Sequence, residues 1–218
     1  LWVATDVSPK RVSEAAEELQ RVHEGRGHRL TVLQIQRCPW CGTRIGSGEV
    51  VVDRDASRVH VYCGDDLAEC PFAKGGAVDG GLPVLTVDEE IYRLAPSFVI
   101  ATVDKFARLA REGEAASLFG YVSTYCDRHG FVHPDYTGCA LKENGRHPAK
   151  NALPAAGTRP HPRLRPPDLI IQDELHLITG ALGTTVGLFE VAIDALTTWR
   201  TATGATAKPV IVASTATV

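Results

Sequence analysis

The sequence predicts an α/β fold: a mostly parallel sheet broken by two irregular insertions. Three observations point there. Strand-like apolar runs alternate with helical patterns in the regular parts of the chain. Those runs are apolar on both faces, which implies a sheet covered by helices on each side. Two stretches, roughly 37–81 and 113–167, lose that rhythm and concentrate Cys, Gly, Pro and His.

Taken in order, Leu1 to Thr5 reads as a short buried strand, and Ser8-Pro9 as an N-cap with proline at the first helical position. The helix to about His23 puts Val12, Ala15, Ala16, Leu19 and Val22 on one face, and Gly25 and Gly27 end it. Leu30 to Ile35 is the next strand candidate. Within the first insertion, Glu49–Asp53 and Arg58–Tyr62 alternate like a small hairpin. Regular order returns with Ile91–Leu94 and the strand Phe98–Ala101. An amphipathic helix carrying Val103, Phe106, Ala107 and Leu109 follows. Beyond the second insertion lie the strand Leu169–Ile171, a helix from about Thr184 to Trp199 and a last strand at Val210–Ala213.

Composition excludes some classes. At 218 residues, 44% apolar and 22% charged, the chain has the make-up of a globular protein. A net charge of -3 and a pI near 6.3 give no global basic field, so nucleic-acid binding needs a local patch. No apolar run approaches the ~18 residues of a membrane span, and no leader-like segment opens the chain. A cytoplasmic protein without membrane partners is expected. The chain contains no methionine, and it starts and stops inside apolar runs. It reads as a piece of a longer protein.

The strongest chemical signal is Pro167-Asp168-Leu169-Ile170-Ile171-Gln172-Asp173-Glu174-Leu175-His176. An apolar strand carries two adjacent carboxylates to its C-terminal end, where open α/β sheets bind ligands. Asp173 there can hold a hydrated Mg²⁺ on ATP phosphates, and Glu174 can orient or deprotonate the attacking water. The bland reading is an acidic pair at a helix N-terminus, and His176 could simply be packed.

Asp173-Glu174-Leu175-His176 resembles the Walker B motif of DEAD/DEAH-box superfamily 2 helicases. Ala213-Ser214-Thr215-Ala216-Thr217 resembles their Ser-Ala-Thr coupling motif. Phe98–Phe106 is similar to the family's backbone-touching strand motif, with Thr102 at its threonine and Val103 and Asp104 in place of proline and glycine. Leu1–Leu19 is similar to an earlier strand-Thr-helix motif, with Thr5 at the matching position. The resemblance implies a RecA-like three-layer motor lobe over 1–218, with Asp173, Glu174 and His176 catalytic and Ser214–Thr217 coupling. Thr5 and Thr102 would touch nucleic acid, and ATP and Mg²⁺ would be cofactors. No Gly-x-x-x-x-Gly-Lys-Ser/Thr loop is present. The expected activity, an ATP-dependent helicase or translocase, therefore belongs to a full-length parent, and this piece alone should be inactive. More narrowly, Ile170–Gly180 followed by Leu182-Gly183-Thr184 resembles the helicase subunit of bacterial DISARM anti-phage systems. That implies DNA and other defence-system subunits as partners.

The six cysteines fall into two groups. Cys38-Pro39-Trp40-Cys41-Gly42 is a tight knuckle, and Cys63 and Cys70 lie beyond the hairpin. Four thiolates at one end of a hairpin suit tetrahedral Zn²⁺, making 37–81 a zinc ribbon. Disulfides suit exported chains, and a reactive Cys-x-x-Cys would open a helix; neither pattern is present. Cys126, His129, His133 and Cys139 form a second candidate, or else are scattered loop residues. The fourth ligand beside Cys126, His129 and Cys139 is not fixed by spacing, and His147 and His161 read as solvated.

Arg146, Lys150, Arg159, Arg163 and Arg165 precede the acidic strand. They form either a phosphate-contacting loop or, better for a charge run, a solvated linker. Two rivals to the motor reading stand: a zinc-dependent binding module on a degenerate ATPase scaffold, and a metal-dependent nuclease using Asp173 and Glu174. The nuclease needs further carboxylates, and the other acidic pairs lie in a helix, an insertion and a loop.

Overall fold

A computed structural model describes all residues except 4–6, 28, 103–104, 106–111, 134–138, 140–144, 174–180 and 215–218. Helix α1 (Val12–His23) starts three residues later than Pro9 suggests. Its first turn is capped by acids: Glu14 accepts from the backbone N–H of Lys10 at 2.8 Å, and Glu89 from that of Val12 at 3.1 Å. Val12 and Ala15 then pack with Val32, Val50, Val59 and Val87. That packing sets α1 on the antiparallel hairpin β1 (Val50–Asp53) and β2 (Arg58–Val61), whose register runs Val50↔Val61 to Asp53↔Arg58. The Asp53 carboxylate turns the loop by accepting from Asp55 and Ala56 at 2.9 Å.

Helix α2 (Asp88–Leu94) contacts elements on both sides of it. Ile91 and Tyr92 join Trp2 and Ala115 in a separate apolar cluster, and the Trp2 indole N–H donates to the Tyr92 hydroxyl at 3.0 Å. Arg93 is 2% exposed and donates to Ser57 O (2.7 Å) in the β1–β2 loop and His129 O (3.3 Å) in the next module. A 3₁₀ turn at Gly113–Phe119 leads into a four-stranded antiparallel sheet of order β4-β3-β6-β5. Its strands are β3 (Thr124–Cys126), β4 (Gly130–Val132), β5 (Arg146–His147) and β6 (Ala156–Pro160). Gly130 has φ +86°, and an added Cβ would lie 2.5 Å from Arg93 O. Only glycine allows α2 and the hairpin to approach this closely.

β7 (Leu169–Gln172), α3 (Ala181–Thr197), the small hairpin β8 (Trp199–Arg200) and β9 (Thr206–Ala207), and β10 (Val210–Ala213) complete the order. β10 lies parallel to β7, with Val210↔Leu169 through Ala213↔Gln172. Among the described residues no helix is long and apolar enough to cross a membrane.

This architecture corrects the expected RecA-like three-layer, mostly parallel sheet. Among the described residues three of the four sheets are antiparallel, and parallel pairing of strands is confined to β7–β10. Of the strand expected at Leu1 to Thr5, residues 4 and 5 lie outside the described residues; Leu1–Val3 and Phe98–Ala101 contribute a single parallel bridge, Trp2↔Ala101, rather than strands. Leu30 to Ile35 forms a turn, with Leu33 N–H bonded to Leu30 O. The reason is burial without pairing. Val32 is covered by α1 and the hairpin, and Leu33 and Ile35 pack against the cysteine cluster. A short apolar run signals burial and cannot by itself report a strand. The helix expected around Val103 to Leu109 lies outside the described residues, apart from Lys105. The Thr184–Trp199 helix is α3, and Trp199 belongs to β8 instead.

Candidate metal centres and an acidic strand end

The first cysteine pair sits on a knuckle that its backbone closes: Cys38 N–H donates to Thr43 O and Gly42 N–H to Cys38 O, both at 2.8 Å. Gly42 adopts φ +79° to make that turn. The second pair is held by Asp65, whose carboxylate accepts from Cys70 N–H at 2.7 Å, and by Cys63 N–H bonded to Phe72 O at 2.9 Å. Together they bring the four Sγ atoms within 4.8 Å of one another. Cys38 and Cys70 sulfurs are 3.8 Å apart, and those of Cys41 and Cys63 are 3.4 Å apart. A tetrahedral zinc with sulfurs at ~2.3 Å has S···S edges of about 3.8 Å. All four cysteines are free thiols, three of them buried, so the donor set fits such an ion. The Thr43 hydroxyl, then its backbone, pulls the Cys41 thiol down to about 6. Burial pushes Cys63 up to about 12 and raises Cys70. Thiols this close do not ionise independently; a divalent cation is what lets all become thiolates.

The second candidate assembles with one change. Cys126 ends β3, His129 lies in the β3–β4 turn, and Cys139 and His147 approach from the return segment and β5. The ligand atoms of Cys126, His129, Cys139 and His147 lie within 4.8 Å of one another. His147, expected to be solvated, therefore stands where His133 was anticipated, and His133 is outside this quartet. Burial, then the neighbouring His147, lowers the His129 pKa to about 4, and burial also lowers that of His147. Both imidazoles are neutral near pH 7, with a lone pair to offer.

At the end of β7, Asp173 is exposed and accepts a hydrogen bond from the Ser214 hydroxyl at 2.6 Å. Ser214 N–H continues the parallel ladder to Gln172 O at 2.8 Å. The two segments thus meet on neighbouring strands, side by side at their C-terminal ends. Glu174, His176, Thr215, Ala216, Thr217 and Thr5 lie outside the described residues. Thr102 is exposed, and its N–H bonds to Trp2 O at 3.2 Å, well away in sequence from the acidic end.

Of the basic residues before β7, Lys150, Arg159, Arg163 and Arg165 each make a side-chain contact. Lys150 pairs with Asp55 at 2.7 Å, and Arg159 pairs with Asp127 at 2.5 Å while stacking 4.5 Å over Tyr125. Arg163 stacks 3.8 Å over Tyr121 and Arg165 4.9 Å over Trp199. Arg163, Arg165, Trp199 and Arg200 line an open cavity of about 680 Å³. Sequence reading missed this stacking, although Tyr121, Tyr125 and Trp199 bracket the basic run.

No family model matches the chain. A relative does: over 204 residues the chain is 35% identical to the DISARM protein DrmA of Bacillus paralicheniformis (strain ATCC 9945a / NCIMB 11709 / CD-2). This chain is similar to a DISARM protein. The similarity takes in 90% of this chain, both cysteine clusters' length of sequence included, but only 17% of DrmA. The chain thus spans about a sixth of its relative's length; the similarity bears out the DISARM relation that Ile170–Gly180 suggested, and not the helicase role.

Proposed function

We propose that these residues serve an anti-phage defence protein as part of a nucleic-acid-dependent ATPase, with DNA as the substrate polymer and other defence subunits as partners. The observation that carries this reading is the hydrogen bond from Ser214 to Asp173 across parallel neighbours β10 and β7. It joins the two segments on which the helicase resemblance rests, in a chain similar to a DISARM protein. In this reading Asp173 would hold magnesium, for which an exposed carboxylate is a suitable hard ligand. Magnesium would neutralise the charge of the nucleotide phosphates. Glu174 would orient and deprotonate water, and Ser214, tied to Asp173, would report the state of the site to the polymer-binding surface. The Arg163–Arg165–Arg200 cavity with Trp199 offers guanidinium groups for phosphates and a ring for a stacked base.

In the full-length polypeptide, Glu174→Gln is expected to cut DNA-stimulated ATP hydrolysis by about 10²–10⁴-fold while nucleotide still binds. Unchanged turnover removes Glu174 as the base. The cysteine geometry favours a second reading, a zinc-stabilised module that binds nucleic acid or protein on a scaffold without turnover. Zinc-dependent binding with no hydrolysis at any DNA concentration would select it.

A further inference from the structure

Among the described residues the four-stranded sheet has almost no core of its own. Its buried apolar cluster consists of Cys126, Val132 and Cys139, and two of these three are thiols. A sheet with strands of two to five residues cannot be held by so little apolar burial. Something else must tie β5 and the segment around Cys139 to the β3–β4 hairpin.

We propose that Cys126, His129, Cys139 and His147 bind a structural zinc ion, independent of the four-cysteine cluster. The two halves of the site come from separate pieces of chain. Cys126 and His129 straddle one tight turn, with Sγ and Nδ1 3.5 Å apart. Cys139 and His147 form the other half, with Sγ and Nε2 3.2 Å apart. A tetrahedral zinc with sulfur at ~2.3 Å and nitrogen at ~2.05 Å has S···N edges of about 3.5 Å, so the spacing suits one shared ion. Two thiolates and two neutral imidazoles neutralise a divalent charge, which makes a buried ion affordable. The mixed soft set selects zinc over calcium or magnesium. Cys126 is 0% and Cys139 4% exposed, and four protein donors leave no open position for substrate. The site is structural rather than catalytic. Its rigidity reaches α2, because Arg93 holds His129 O and Gly130 abuts Arg93 O.

The test is zinc content of the purified full-length protein, by elemental analysis and X-ray absorption at the zinc edge. Cys126→Ser and His147→Ala are each expected to remove one zinc equivalent, whereas His133→Ala keeps it. In Cys38→Ser/Cys41→Ser the all-sulfur signal is expected to disappear, leaving a shell of two sulfurs and two nitrogens. His147→Cys, which supplies another ligand, is expected to restore the equivalent that His147→Ala loses, separating ligand loss from misfolding. Unchanged zinc in both Cys126→Ser and His147→Ala, or an all-sulfur shell throughout, would overturn the proposal. Neither outcome bears on the four-cysteine site, which the Cys38/Cys41 variant reads separately.

Discussion

The cysteine-centred modules and the β7–β10 pair are built on opposite terms. In the first, Cys38, Cys63 and Cys70 are 2–4% exposed and share a cluster with Ile45, Val61 and Leu82. In the second, Ile171 and Val210 are 62% and 63% exposed, and Ile211 and Val212 about half exposed. Both are short and strand-like, so length does not separate them. What separates them is where the cohesion comes from. Convergent ligands close a small module locally, whereas a parallel pair depends on apolar cover over both faces. Among the described residues that cover is not supplied. The difference teaches that the candidate metal modules converge on buried ligands, while the acidic strand end depends on its wider surroundings.

Metal removal should break this contrast most sharply. Structural zinc sites contribute on the order of 10–16 kcal/mol of apparent binding free energy near pH 7. Treating the protein with a strong chelator is therefore expected to open 37–81, with fast hydrogen exchange at the amides of Cys38, Cys63 and Cys70, while β7–β10 amides change little. Slow exchange retained in 37–81 after chelation would mean that its apolar cluster suffices.

The joint between the modules comes next. Arg93→Ala leaves the half-buried carbonyls of Ser57 and His129 without this donor, at a cost of about 2 kcal/mol in denaturant unfolding. Gly130→Ala acts at the same joint by sterics. It forces a Cβ against Arg93 O in a left-handed backbone, and a loss of about 2 kcal/mol is expected. If both variants melt like the parent, α2 is not the clamp between the two modules. Tyr92→Phe should cost less, about 1 kcal/mol, by leaving the buried Trp2 indole N–H without the hydroxyl.

What the sequence made legible follows the same divide. The β1–β2 hairpin was readable because Glu49–Asp53 and Arg58–Tyr62 alternate, and the four-cysteine cluster because its ligands come in spaced pairs. The meeting of Asp173 with Ser214 was readable only through motif resemblance, since 41 residues separate them. The parallel sheet was misjudged because Leu30 to Ile35 and Phe98–Ala101 satisfy or expose their side chains without strand pairing. His147 was missed for a topological reason. It reaches Cys139 only after β5 pairs with β6, through Arg146↔Gly157 and His147↔Ala156. Spacing along the chain does not contain that pairing. The usable hint was compositional: a further histidine, His147, eight residues beyond Cys139.

The smallest expected effect refines the contrast through ion pairs. Lys105 and Asp88 form a pair with side chains 2% and 5% exposed, beside Trp2, and burial raises the Asp88 pKa even against the lysine. Lys208, just after β9, and Asp194 of α3 form a bidentate pair at 2.8 Å, with both side chains more than half exposed. The second is bidentate and should still matter less, because water screens it and long side chains lose entropy to hold it. Lys208→Ala is therefore expected to change stability by less than about 1 kcal/mol, with the effect vanishing at high salt. Lys105→Ala strands a buried carboxylate and is expected to cost about 3–5 kcal/mol, insensitive to salt. Equal, salt-dependent losses at the two sites would mean that water reaches the Lys105 pair, and that the Trp2 cluster is as open as the acidic strand end.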